Sequence, residues 1–110
     1  MENITYSVTF TCDDQEADDL RKHGKDFLRK SKVKCTSKQS YPEAGFGIPA
    51  FGVPIEVYFL ISSPKGLTMR STDLLRVCLN LVDEIEHEFA TARDVTIENN
   101  DSHPLHYICL

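Results

Sequence analysis

The stretch that decides the fold is Ile4-Thr-Tyr-Ser-Val-Thr-Phe-Thr-Cys12, followed at once by Asp13-Asp-Gln-Glu-Ala-Asp-Asp-Leu-Arg-Lys-His-Gly-Lys-Asp-Phe-Leu-Arg-Lys30. In the first part Ile4, Tyr6, Val8, Phe10 and Cys12 alternate with Thr5, Ser7, Thr9 and Thr11. A period of two, rich in β-branched and aromatic residues, predicts a strand with one face buried and one wet. The second part changes period. Ala17, Leu20, Gly24, Phe27 and Leu28 step by three and four, which marks one face of a helix running from about Asp14 to Lys30. Asp13 and Asp14 offer caps, acids crowd the start and bases crowd the end, as the helix dipole favours. Gly24 costs up to ~1 kcal/mol relative to alanine inside a helix, so close packing against the sheet is its expected reason.

Working outward, Lys32-Val-Lys-Cys-Thr-Ser-Lys38 alternates again, with Val33 and Cys35 inward and the lysines outward, a common guard for a sheet edge. A Pro/Gly ribbon from Pro42 to Pro54 follows, with the near-repeat Phe46-Gly-Ile-Pro-Ala, Phe51-Gly-Val-Pro-Ile. Its prolines and glycines exclude a helix and disfavour ladder pairing. Ile55, Val57, Phe59 and Ile61 then read as a strand, with Glu56, Tyr58 and Leu60 on its other face, and Ser63-Pro-Lys-Gly as a turn. Ser71-Thr-Asp opens a second helix with a capping hydroxyl. Its apolar stripe is Leu74, Leu75, Cys78, Leu81, Val82, Ile85 and Phe89, reaching about Ala92. Val95-Thr-Ile-Glu, Asn99-Asn-Asp-Ser and Leu105-His-Tyr-Ile-Cys suggest a terminal hairpin.

The order β-α-β, ribbon, β-α-β predicts an α+β two-layer sandwich. An antiparallel sheet of four to five strands carries both helices on one face, the ferredoxin-like split β-α-β plan. Its 110 residues fit one domain, 1–110, burying roughly two-thirds of the unfolded surface. No run approaches the ~20 apolar residues of a membrane span, and the start lacks the pattern of a signal peptide. A cytoplasmic protein is expected, and no membrane partner. Cys12, Cys35, Cys78 and Cys109 are far apart, form no CxxC pair and fall on apolar phases, so free buried thiols are expected.

Several chemistries find no support in the residues. His103 and His106, three apart on a strand, point to opposite faces, while His23 and His87 lie on separate helices, so no metal site and no cofactor is expected. The ribbon lacks GxxxxGK[ST], and its Gly45-Phe-Gly47 precedes a strand instead of opening a helix, so it is no phosphate loop. It reads as a stiff connector over the core edge or, if exposed, as an apolar patch anchored by Phe46, Ile48 and Phe51. Eight of the twelve basic residues lie between Arg21 and Lys38, yet the net charge is −5 and the outward phase of the first strand offers no aromatics to stack bases. Nucleic acid is therefore not an expected partner. No nucleophile, base and orienter line up, so an enzyme is not expected.

One charge placement resists a purely structural account. Asp83, Glu84, Glu86 and Glu88 fill the later half of the second helix, and Asp94 and Glu98 follow. Acids there oppose the helix dipole by some ~0.3–1 kcal/mol each when close to the end. An acidic surface held against stability suits a partner with a basic surface, since complementary charge speeds encounter and rejects wrong partners. In this general character the chain resembles dedicated protein inhibitors such as the immunity proteins that neutralise nuclease toxins. The resemblance is one of class and carries no residues across. The expectation is a non-enzymatic protein-binding module of the immunity or antitoxin type, inhibiting a cationic toxin or enzyme. The alternative is a small-ligand regulatory or sensory ferredoxin-like domain, dimeric, binding near the ribbon. Oligomeric state stays open between the two.

Overall fold

Alternating burial along the first strand sets the sheet. In the computed structural model, which describes residues 4–40, 54–64, 69–99 and 107–109, β1 (Thr5–Asp13) buries Tyr6, Val8, Phe10 and Cys12 on one face. It is followed without a break by α1 (Asp14–Lys30). Then come β2 (Lys34–Ser40), β3 (Pro54–Ser62), α2 (Ser71–Glu88), β4 (Arg93–Asn99) and β5 (Tyr107–Cys109). The sheet order is β2-β3-β1-β4-β5, with every neighbouring pair antiparallel. This is the expected ferredoxin-like plan, extended by a short hairpin strand beyond β4. The lysine-bearing β2 takes the edge, as its pattern predicts.

One core lies between the layers. Ile55, Val57, Phe59 and Ile61 of β3 and Val95 and Ile97 of β4 join the buried residues of β1. Ala17, Leu20 and Leu28 from α1 and Leu74, Cys78, Leu81, Val82 and Ile85 from α2 cover them. Gly24 sits where the helix presses hardest. A Cβ there would lie 2.4 Å from Cζ and 2.7 Å from Cε1 of Phe59, whose ring meets Phe10 edge-on at 6.0 Å. The glycine removes the clash and lets α1 settle on the sheet.

Both helix starts depart from expectation. Asp13 is the N-cap of α1 but its side chain makes no capping bond. It accepts instead from the Arg93 guanidinium at 3.2 Å. The N-cap of α2 is Arg70, and the Ser71 hydroxyl is engaged with the Tyr6 hydroxyl at 2.7 Å. In both cases the polar side chain ties the helix start to a strand. The end of α1 is a Schellman motif. Lys32, at φ 60, donates its N–H to the Arg29 carbonyl, and the Val33 N–H reaches the Leu28 carbonyl. The second helix stops at Glu88, four residues short of the apolar pattern, because Phe89 turns to an extended backbone (φ −125, ψ 110) and packs against the core's margin.

Candidate functional site

Chain direction brings the acidic residues together. Each helix runs back against the strand that precedes it, and β1 and β3 are themselves antiparallel, so α1 and α2 run in opposite directions. The start of α1 therefore meets the end of α2. Side chains record the meeting: the Thr91 backbone N–H donates to Glu16 Oε1 at 3.0 Å and its hydroxyl donates to the same oxygen. The Asp13 N–H in turn donates to Thr91 Oγ1 at 3.1 Å. Arg93 closes the knot, donating to Asp13 and, at 2.8 Å, to the Thr91 carbonyl.

This geometry merges two acidic runs that are some seventy residues apart in sequence. Asp18 and Asp19 on the first turns of α1, and Asp83, Glu86 and Glu88 on the last turns of α2, are all exposed at this end of the helical layer. Asp94 is exposed just beyond. The opposite end is basic. There the last turns of α1 carry Lys25, Arg29 and Lys30, and the register Lys34↔Ser62↔Thr5 places the start of β2 alongside the start of β1. Arg70 stands at the start of α2, tied to that end by the Tyr6–Ser71 bond. The poles are separated by the nine residues of β1, about 30 Å at ~3.3 Å per residue.

Not every acid expected to act together does so. Glu84 faces α1, not open water: its carboxylate lies 2.8 Å from His23 Nε2, both side chains 37% exposed. The His23 ring also meets Phe89 edge-on at 5.6 Å. Sequence spacing does not reveal this interhelix pair, since His23 and Glu84 lie sixty-one residues apart. Their offsets along each helix give the only signal, and it becomes readable once the helices are known to be antiparallel. Asp94 has φ 51 at the point where the β1–β4 register shifts between Thr9 and Thr11. An aspartate tolerates that left-handed bulge better than most residues, so its identity has a backbone reason. Glu98 pairs with Ser7 on the sheet face away from the helices, apart from the acidic pole. Phe46, Ile48 and Phe51 lie outside the described residues, as do His103 and His106.

The thiols of Cys12, Cys35 and Cys78 offer little chemistry, and the side chain of Cys109 lies outside the described residues. Cys12 and Cys78 are fully buried. Burial first, with Glu16 adding, pushes the Cys12 thiol up to about 11, and burial pushes that of Cys78 to about 12. Cys35 is raised by burial, with Lys25 and Arg29 pulling it back. Thiols so far from ionisation are poor nucleophiles and ligands. Among the described residues no three His, Cys, Asp or Glu side chains are placed to hold a metal ion, and no helix is long and apolar enough to cross a membrane.

Strand order and helix placement define the class, a ferredoxin-like α+β domain. Solved structures of the same fold cover nearly the whole chain. The C-terminal domain of the MgtC protein from Mycobacterium tuberculosis is similar, with a TM-score of 0.61 at 14% identity over 91% of this chain and 90% of that one. A phage SAM lyase in complex with S-methyl-5'-thioadenosine matches with a TM-score of 0.61 at 11% identity, over 98% of this chain and 88% of that one. A de novo designed protein, Foldit4, scores 0.64 at 10% identity over 93% of this chain and 100% of that one. That a designed protein matches as well as natural ones shows what is shared: the fold. No protein-family model and no curated protein sequence matches the chain.

Proposed function

We propose that the chain is a non-catalytic binding module whose acidic pole docks a basic protein surface, in the manner of a dedicated inhibitor of a cationic enzyme. The observation that carries this reading is the antiparallel helix pair, which sums two distant acidic runs into one exposed pole. Such a field steers encounter and sets orientation more than it adds raw affinity. The carboxylates free to act are Asp83, Glu86 and Glu88 on α2 with Asp18 and Asp19 on α1, while Glu84 is held by His23. An anchoring role for Phe46, Ile48 and Phe51, and a cytoplasmic setting, belong to the same proposal.

The test compares wild type with an Asp83→Asn/Glu86→Gln/Glu88→Gln variant by quantitative co-purification from the native cell extract. A basic protein retained by the wild type should be lost from the variant, and its association rate with the wild type should fall steeply with salt. A partner set identical for both proteins would remove the reading.

A second reading, a small-ligand regulatory domain, is favoured by one observation. A similar structure of nearly the same length holds S-methyl-5'-thioadenosine. On that reading this compound or SAM raises the melting temperature of the chain, while SAM is not consumed. An unchanged melting curve removes the ligand, and turnover would make the protein an enzyme.

A further inference from the structure

The sheet face turned away from the helices has an asymmetric charge pattern. Lys34 and Lys38 stand exposed on β2, flanking Thr36. Register carries one row straight across the sheet: Thr36 is opposite Leu60, Leu60 opposite Ser7, and Ser7 opposite Glu98. The lysines and the exposed Glu98 thus occupy the same level but lie three strands apart, about 14 Å at ~4.8 Å per strand. They cannot pair within one molecule. Between them the face carries hydroxyls, with Leu60, Tyr58 and the exposed Glu56 on β3 and the nearly buried Ser7 on β1, and Lys38 Nζ lies over the Tyr58 ring, 4.9 Å from its centroid.

We propose that this face binds a second copy of the chain, sheet on sheet, about a two-fold axis parallel to the strands and lying between β3 and β1. Rotation about that axis keeps the level along the strands and exchanges the sides. It lays β2 of each copy over β4 of the other, so that Glu98 comes opposite Thr36, between Lys34 and Lys38. Symmetry makes the contact twice. The other in-plane axis, across the strands, lays β2 on β2 and β4 on β4, bringing lysines to lysines and Glu98 to Glu98. Charge therefore selects one of the two ways to stack the sheets, both of which keep the strands aligned as in sandwiches. Joining copies edge to edge is opposed by the same lysines, which crowd the rim of β2. Four strands by seven residues give a flat footprint of roughly 19 by 24 Å. At about 460 Å² this is below the ~800 Å² per partner of a standard interface, so the dimer is a weak one.

Sedimentation velocity provides the test, with circular dichroism confirming the fold of each variant. The wild type should be a dimer that weakens with salt. A Lys34→Glu/Lys38→Glu variant and a Glu98→Lys variant should each be monomeric, with dissociation constants raised at least about tenfold. Mixed together, the two variants should form a heterodimer, because both seams are then complementary again. If a reversed variant fails to fold, Lys38→Gln and Glu98→Gln, which only delete charge, must each weaken the wild-type dimer. A monomeric wild type, a dimer that survives either change, or a mixture that stays monomeric overturns the proposal.

Discussion

At the scale of single residues, the positions that resist substitution are those where backbone or packing leaves one solution. Gly24 is the clearest. Alanine would gain up to ~1 kcal/mol of helix propensity, but its Cβ would meet the Phe59 ring at 2.4 Å. That ring is itself fully buried and braced by Phe10. Overpacking of this kind costs ~1–3 kcal/mol, so Gly24→Ala should lower the urea midpoint despite the better helix former. In a double-mutant cycle Gly24→Ala should cost less in a Phe59→Leu background, where the struck atoms are absent, and an equal cost in both backgrounds would refute the clash. The sequence pointed at Gly24 because a glycine in a helix needs a reason. It could not name Phe59, since the depth at which α1 sits on the sheet is a tertiary distance. Lys32 and Asp94, at positive φ, carried no such signal: neither is glycine, and their left-handed backbone is imposed by the helix end and the bulge around them.

At the scale of elements, legibility followed local redundancy. The bounds of α1 were readable because charge order, apolar period and the Asp13-Asp14 start all agree on them, although the acids turn out not to cap. The end of α2 is not legible in the sequence, because Phe89 keeps the helical phase while the backbone has already become extended, so apolar period alone cannot mark the stop. The acids near that end carry a testable cost. Glu86 and Glu88 are exposed in the last turn of α2, where negative charge opposes the dipole, and they stand near the acids of α1. Replacing both with lysine should raise stability by about 1 kcal/mol at low salt, a melting-temperature gain of roughly 4–6 °C for a domain of this size. The gain should shrink with added salt. If the acids are there for a partner, the same variant loses binding. A variant no more stable than wild type would mean that the two acids carry no cost, and the argument that they are kept for function would lose its premise.

At the scale of the whole molecule, the candidate site depends on how distant segments are laid side by side. Two acidic runs are visible in the sequence, but their union requires knowing that α1 and α2 are antiparallel neighbours, which follows only from strand order. The separation of Glu98 from that pole has the same origin, since the alternation of β4 sends it to the opposite face of the sheet. Global stability against pH is another property of the assembled core. Cys12 and Cys78 ionise at about 11 and about 12 in the fold against an ordinary 9.0, because each would place a thiolate in the interior. Their folded values are raised, so the contribution is fully present below pH 9. It is lost as pH rises, since the unfolded chain releases these protons first. Each thiol should remove about 1.4 kcal/mol per pH unit above 9 until its folded value is reached. Urea unfolding under reducing conditions should show the midpoint level from pH 7 to 8.5 and falling steeply between 9 and 10. A Cys12→Ala/Cys78→Ala variant, less stable at neutral pH from its small cavities, should follow a flatter line over that interval. Parallel lines for variant and wild type would show that the alkaline loss has another source.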